Sequence, residues 1–283
     1  MCKAGWMTPM LRLIAAAAGL IPLAAAALSA ETPAAPAERI AVRIEIYGLA
    51  GLHVATANSV VELSGDRYAV SSNLATRGVA GLFVEVSGRS EVRGRLTAAG
   101  AQPESYRSNT VRNGVARDSR LDYSADGAVS GGTNPPIDAA QHMLPMPPPE
   151  QLRGTVDNLT AYLIIQRQLV KTGSCNATIP VYDGHERYNL KLTDRGQQTL
   201  SPSGGQNLSG PAKVCRMQRE DIGGFAADPA KREGARAGTI WYSRLVPAEL
   251  MLPVRMELES ELGDVTAYLA EVKSGRVHLA LME

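Results

Sequence analysis

Large aromatic side chains are scarce in this 283-residue chain, which holds two Phe, two Trp and nine Tyr. So thin a supply leaves no extended platform for stacking bases. Charge of either sign is not in surplus, since 29 Lys and Arg face 28 Asp and Glu. Without a basic stripe, no nucleic-acid partner is expected. Cysteine is rare, three in all, and no pair is spaced Cys-x-x-Cys. The four histidines, His53, His142, His185 and His278, lack the close spacing of a helical zinc site. No metal centre or other cofactor is therefore expected. No lysine closes a Ser-x-x-Lys, so Lys171-Thr172-Gly173 is a chance match to one motif of penicillin-recognising enzymes. Neither a Gly-x-Ser-x-Gly elbow nor a phosphate-cradling glycine loop is present. After Leu28, no segment is long and apolar enough to cross a bilayer.

What is there begins with an export signal. Lys3 and Arg12 give a positive start, and Leu13–Leu28 is an Ala-rich apolar run broken by Gly19 and Pro22. The run ends at Leu28-Ser29-Ala30, with small Ala30 before the expected cut. It is shorter than the ~20 apolar residues of a membrane span. No Cys follows it, so a lipid anchor is not indicated. The expected organisation is a signal peptide over residues 1–30, a Pro/Ala linker over 31–38 and a single domain over 39–283. The expected compartment is the periplasm. Loss of Lys3 and Arg12 leaves 27 basic against 28 acidic residues, so the mature protein is close to neutral.

Cys2 leaves with the signal. Cys175 and Cys215 remain, an even number in an oxidising compartment, and a disulfide between them is the expected state. It closes a loop of about forty residues, for roughly 4 kcal/mol on the chain-entropy argument.

Most of the chain alternates with a period of two. Ile40, Val42, Ile44 and Ile46 share one face of a strand. Further strands are expected over Leu52–Leu63, Tyr68–Leu74, Ser90–Thr97, Glu104–Arg112 and Val115–Tyr123. Asn113-Gly114 is the strongest hairpin signal, since both residues tolerate positive φ. Gly131–Pro149, with six Pro, fits neither helix nor strand. Strands resume over Asn176–Tyr182, Glu186–Thr193 and Ala212–Arg219, with Asp183-Gly184 as a turn. Ser201–Pro211 and Phe225–Gly238 read as surface loops. Thr239–Leu245, Val254–Glu259, Val265–Val272 and Val277–Leu281 complete the strands, and turns this short make neighbours antiparallel.

One stretch departs from this period. Residues of about 155–171 form a helix, capped by Thr155 or Asp157. Leu159, Tyr162, Leu163, Gln166, Leu169 and Val170 fall at steps of three and four, and Ile164 and Ile165 widen that face. Such a helix needs cover on more than one side. The expected fold is mainly β, a curved antiparallel sheet or an open or closed barrel, wrapped around one buried helix. Tyr162, Gln166 and Arg167 are the expected rim or ligand contacts, Arg167 snorkelling or pairing with Glu257 or Asp157.

Cys175, Asp183 and His185 lie close in sequence, which admits a thiolate–imidazole hydrolase. A disulfide at Cys175 would remove the nucleophile, so this reading ranks behind the structural one, and no catalytic residue is assigned.

Ile179–Leu190, IPVYDGHERYNL, resembles the hairpin of a bacterial exported family catalogued as domain of unknown function 3108. The order Asp157–Ala161, Cys175, hairpin, Cys215, and then Leu252-Pro253-Val254-Arg255 with Gly263-Asp264-Val265, is similar to that family over roughly Arg39–Met282. The resemblance implies a periplasmic, mostly antiparallel β protein and implies no activity. The resulting expectation is a non-enzymatic β protein that binds an apolar or amphipathic molecule. The alternative is an envelope assembly factor that works through protein contacts. A pocket between helix and sheet favours the first; a filled core with an exposed apolar patch favours the second.

Overall fold

The computed structural model describes residues 38–48, 51–78, 85–98, 100–134, 143–228, 232, 234–260 and 263–282. The expected export signal, its expected cut after Ala30, Glu31–Ala37 of the expected linker and His142 lie outside these residues. The strands are β1 (Glu38–Tyr47), β2 (His53–Ser64), β3 (Arg67–Thr76), β4 (Val86–Thr97), β5 (Gly100–Arg112), β6 (Val115–Tyr123) and β7 (Val129–Asn134). A helix, α1 (Asn158–Thr172), follows, and then β8 (Ala177–Tyr182), β9 (Arg187–Leu200), β10 (Gly210–Gly223) and β11 (Ala237–Ser243). The chain finishes with β12 (Leu252–Ser260), β13 (Gly263–Ser274) and β14 (Val277–Ala280).

The fourteen described strands belong to one antiparallel sheet, in the order β7-β6-β5-β4-β3-β2-β1-β13-β12-β11-β10-β9-β8, with β14 on β13. Among the described residues the ladder does not close, and β7 and β8 are its edges. Two meanders of hairpins meet at the β1–β13 pairing, where Ile40 faces Ser274. Asn113 and Gly114 adopt φ of 49° and 78° at the β5–β6 turn, the positive values a two-residue hairpin demands.

The two edges approach one another without pairing. The Gly154 N–H donates to Gly127 O beside β7 at 2.8 Å. Val156 then forms a parallel bridge with Val181 on β8, exchanging bonds with Pro180 and Tyr182. Gly184, in the β8–β9 turn, sits against Ser119 and Thr133 of β6 and β7. A Cβ there would lie 3.0 Å from their side chains, so the seam is built on the missing methyl. The helix is thus led in through the gap and lies inside the curve of the sheet.

Helix α1 begins at Asn158, a few residues inside the expected start near 155: the cap is Asp157, whose carboxylate accepts from Thr160 N. Gly173 ends it in the left-handed conformation, donating to Leu169 O. The expected single apolar face divides in two. Ala161, Ile165 and Leu169 pack with β8, β9 and β10 around the disulfide, and Leu163 packs with the strands of the first meander. Tyr162 is 43% exposed. The period argument places residues on a face but does not say which face meets packed atoms and which meets a void.

Cys175 and Cys215 form a disulfide with Cα atoms 6.2 Å apart, tying the helix exit to β10. Three expected loops are corrected in part. Gly131–Asn134 pairs with β6 as part of β7, and Leu144 N donates to Phe225 O, so the described Pro-rich segment is docked. Phe225 is fully buried, because its ring fills the space beside Tyr188. Within Ser201–Pro211, Gln206 is buried and its amide donates to Val254 O and Leu269 O at 2.9 and 2.8 Å, supplying the donors that β12 and β13 lack where they splay.

Candidate functional site

A cavity of about 440 Å³ lies between α1 and the inner face of the sheet. The strand period builds it. Ile40, Val42 and Ile44 face it from β1, and Ile240, Leu252 and Met256 from β11 and β12, which makes one wall aliphatic. The wall from β2 to β5 is different. It presents Ser59, Ser72, Ser90 and Thr110 among Ala57, Val61, Val70, Leu74, Val86 and Gly88. The helix closes the space with Asn158, Leu159, Tyr162, Leu163 and Gln166. Among the described residues that line it, none carries a formal charge.

The serines form part of a longer row. The register sets Ser59 opposite Ser72, Ser72 opposite Ser90, Ser90 opposite Ser108, Ser108 opposite Ser119, and Ser119 opposite Thr133. Hydrogen bonds join Ser59 to Ser72 at 2.8 Å, Ser90 to Ser108 at 2.9 Å and Ser119 to Thr133 at 2.8 Å. One row along the strands is apolar: Val61, Val70, Val92, Tyr106 and Leu121. The hydroxyl row therefore runs from the cavity to the seam beneath Gly184, bounded by a packed layer.

On the far side of that layer lies a buried polar chain. The Tyr68 hydroxyl and Thr160 Oγ1 are 2.8 Å apart, and Thr160 Oγ1 donates to the Asp157 carboxylate at 2.6 Å. Asp157 is fully buried, and burial pushes its carboxyl up to about 6 against the hydrogen bonds from Thr160. Burial also holds the Tyr68 and Tyr123 phenols above their usual range.

Of the expected contacts, Tyr162 and Gln166 line the cavity, and the Gln166 side-chain oxygen is buried without a hydrogen-bond partner. Arg167 is on another face. It is buried, and its guanidinium lies 3.6 Å from Glu249, so its partner is neither Glu257 nor Asp157. The sulfur of Cys175 is committed to Cys215, which removes the thiolate that the Cys175/His185 hydrolase needs. His185 instead stands 3.3 Å from Asp183 and 3.7 Å from Glu186, which is paired with Arg219 at 2.9 Å. Burial, and then the charge of Asp183, push the Glu186 carboxyl up to about 7. The Cys175 and Cys215 pair, the Tyr162 and Gln166 pair, and Arg167 thus occupy three separate places. The hydroxyl row was not foreseen. Its only sequence signal is Ser or Thr at inward positions of successive strands, and that signal appears once the register is known.

No curated protein matches the chain at a significant level. Among solved structures, the chain is similar to the β-barrel-like protein of domain of unknown function DUF1849 from Brucella abortus. The TM-score is 0.48 and the identity 9%, over 85% of this chain and 99% of that one. The sequence matches the family described as "Protein of unknown function (DUF3108)" over residues 43–270, the greater part of its length, and the protein belongs to that family.

Proposed function

We propose that this protein is a non-enzymatic periplasmic binding protein that holds one apolar or amphipathic molecule between α1 and the sheet. The cavity carries the reading. Its volume of about 440 Å³ falls within the roughly 300–1,000 Å³ of small-molecule sites, and its mix of aliphatic walls with a few placed polar groups is the usual composition of such sites. Leu74 and Tyr162, both more than a third exposed, border the same space and supply an apolar mouth. The disulfide and the apolar Leu13–Leu28 run support the compartment, since disulfides persist where the medium is oxidising.

The test is native mass spectrometry of the protein purified from its own periplasm, with N-terminal sequencing of the same sample. A retained small molecule and a chain starting after Ala30 are expected. Introducing Trp at Ala57, which lines the cavity, should expel the molecule from a protein that still melts cooperatively. An empty cavity in the wild type, together with no binding of any added amphiphile, would sink the reading.

A further inference from the structure

We infer that the molecule held in the cavity is an uncharged amphiphile whose head carries hydroxyl groups, such as a monoacylglycerol or an alkyl glycoside. This inference rests on the binding reading above and adds the class of ligand. Its first support is the neutrality of the lining. An ionised carboxylate, phosphate or ammonium brought into this space leaves water and meets no opposite charge, at a cost that a few hydroxyls do not offset. The nearby charged groups are used elsewhere: Arg167 lies by Glu249, and Asp157 is enclosed by Thr160.

The second support is the division of the walls. Ile40, Val42, Ile240 and Met256 offer an acyl chain an aliphatic face, and the hydroxyls of Ser59, Ser72, Ser90 and Thr110 gather on the opposite wall. A serine pair uses one donor to join its two oxygens, so Ser59 and Ser72 retain one further donor and spare acceptor sites between them. Such a pair matches a hydroxyl, which also gives and takes one proton. Gln166 adds an amide whose oxygen is unpartnered. A buried acceptor left without a partner is one that a ligand hydroxyl would satisfy. The row continues through Ser108 and Ser119 toward the seam, so the polar wall does not stop at the cavity edge.

The experiment measures binding of a set of amphiphiles with one twelve-carbon chain by displacement of a fluorescent apolar probe. The set is 1-monolauroylglycerol, dodecyl maltoside, dodecanoate, dodecyl sulfate and dodecyltrimethylammonium, each below its micelle concentration. Both neutral hydroxylated heads should bind about tenfold or more tighter than any charged head. Ser72→Ala and Gln166→Leu should each narrow that gap. Equal binding across the set, or a preference for an anionic or cationic head, overturns the inference and leaves the cavity reading standing. Binding of none of them removes both. Thermal melts of each variant identify any substitution that unfolds the protein, and Ser59→Ala then stands in for it.

Discussion

Tyr68 on β3 reaches across the interior to Thr160 on α1, with the two oxygens 2.8 Å apart in a buried setting. The Thr160 hydroxyl proton is already given to Asp157 at 2.6 Å, so the Tyr68 hydroxyl must be the donor to Thr160. A directed chain thus runs from the sheet to the helix cap, Tyr68 to Thr160 to Asp157. It positions the first turn of α1, and with it Leu159 and Tyr162 at the cavity.

Tyr68→Phe removes one link and keeps the ring packing. It should destabilise the fold by about 1–2 kcal/mol, the net cost of a lost buried hydrogen bond, read as a shift in urea midpoint at constant slope. Thr160→Val removes the donor to a buried carboxylate and should cost more than Tyr68→Phe. Equal costs would show that the chain is not directed toward Asp157.

The pH dependence of stability follows from three groups. Asp157 is raised by burial to about 6 and Glu186, by burial and then Asp183, to about 7. Burial lowers the His185 imidazole, but the hydrogen bond and charge of Asp183 outweigh it and leave His185 raised. In each case the folded state binds more protons than the unfolded state, so stability falls as pH rises through the window. For Asp157 the window runs from 3.8 to about 6, on the order of 3 kcal/mol. Below about 4.5 the opposite term takes over, because Glu45 and Asp183 are held below their usual range and lose their partners on protonation. The melting midpoint should therefore be highest near pH 4.5, fall through pH 6 and be lower still at pH 8. Asp157→Asn keeps a cap that accepts from Thr160 N and should flatten the slope between pH 5 and 8. A midpoint that climbs steadily from pH 5 to 8 would contradict these assignments.

Cys175→Ser should destabilise the protein by about 2–4 kcal/mol, since it opens a loop of forty residues, and should leave one titratable thiol. Unfolded but unreduced wild type should show none. Two free thiols in protein purified from its own cells without reductant would mean that the bond does not form there.

Much of the fold was legible because strands and turns are local. The alternation of Ile40, Val42 and Ile44, the Asn113-Gly114 turn and the Asp157 cap each announce themselves within a few residues. The cysteine pairing was legible for a different reason: with Cys2 assigned to the expected signal, Cys175 and Cys215 are the two left, and one bond joins them. What did not show is set by register and by empty space. Ser59, Ser72, Ser90 and Ser108 are unremarked polar residues until hairpin pairing sets them side by side. Tyr162 and Gln166 look like core positions by period, yet the helix presents them to a void. Gln206 and Phe225 sit in stretches whose composition reads as loop, and their burial comes from distant partners.

The order of the sheet has a kinetic consequence. Among the described strands, every ladder except one joins strands that follow each other along the chain, and the exception is β1 with β13. Hairpins of this kind form from short loops and carry little closure entropy. The β1–β13 pairing instead brings together segments from opposite ends of the sequence, Ile40 beside Ser274. The two meanders can therefore assemble independently, and the slow event in folding is the meeting of their inner strands. Until that meeting, β1 and β13 each show an open edge to solvent, so the folding intermediate most prone to self-association is one in which both halves are built and not yet joined.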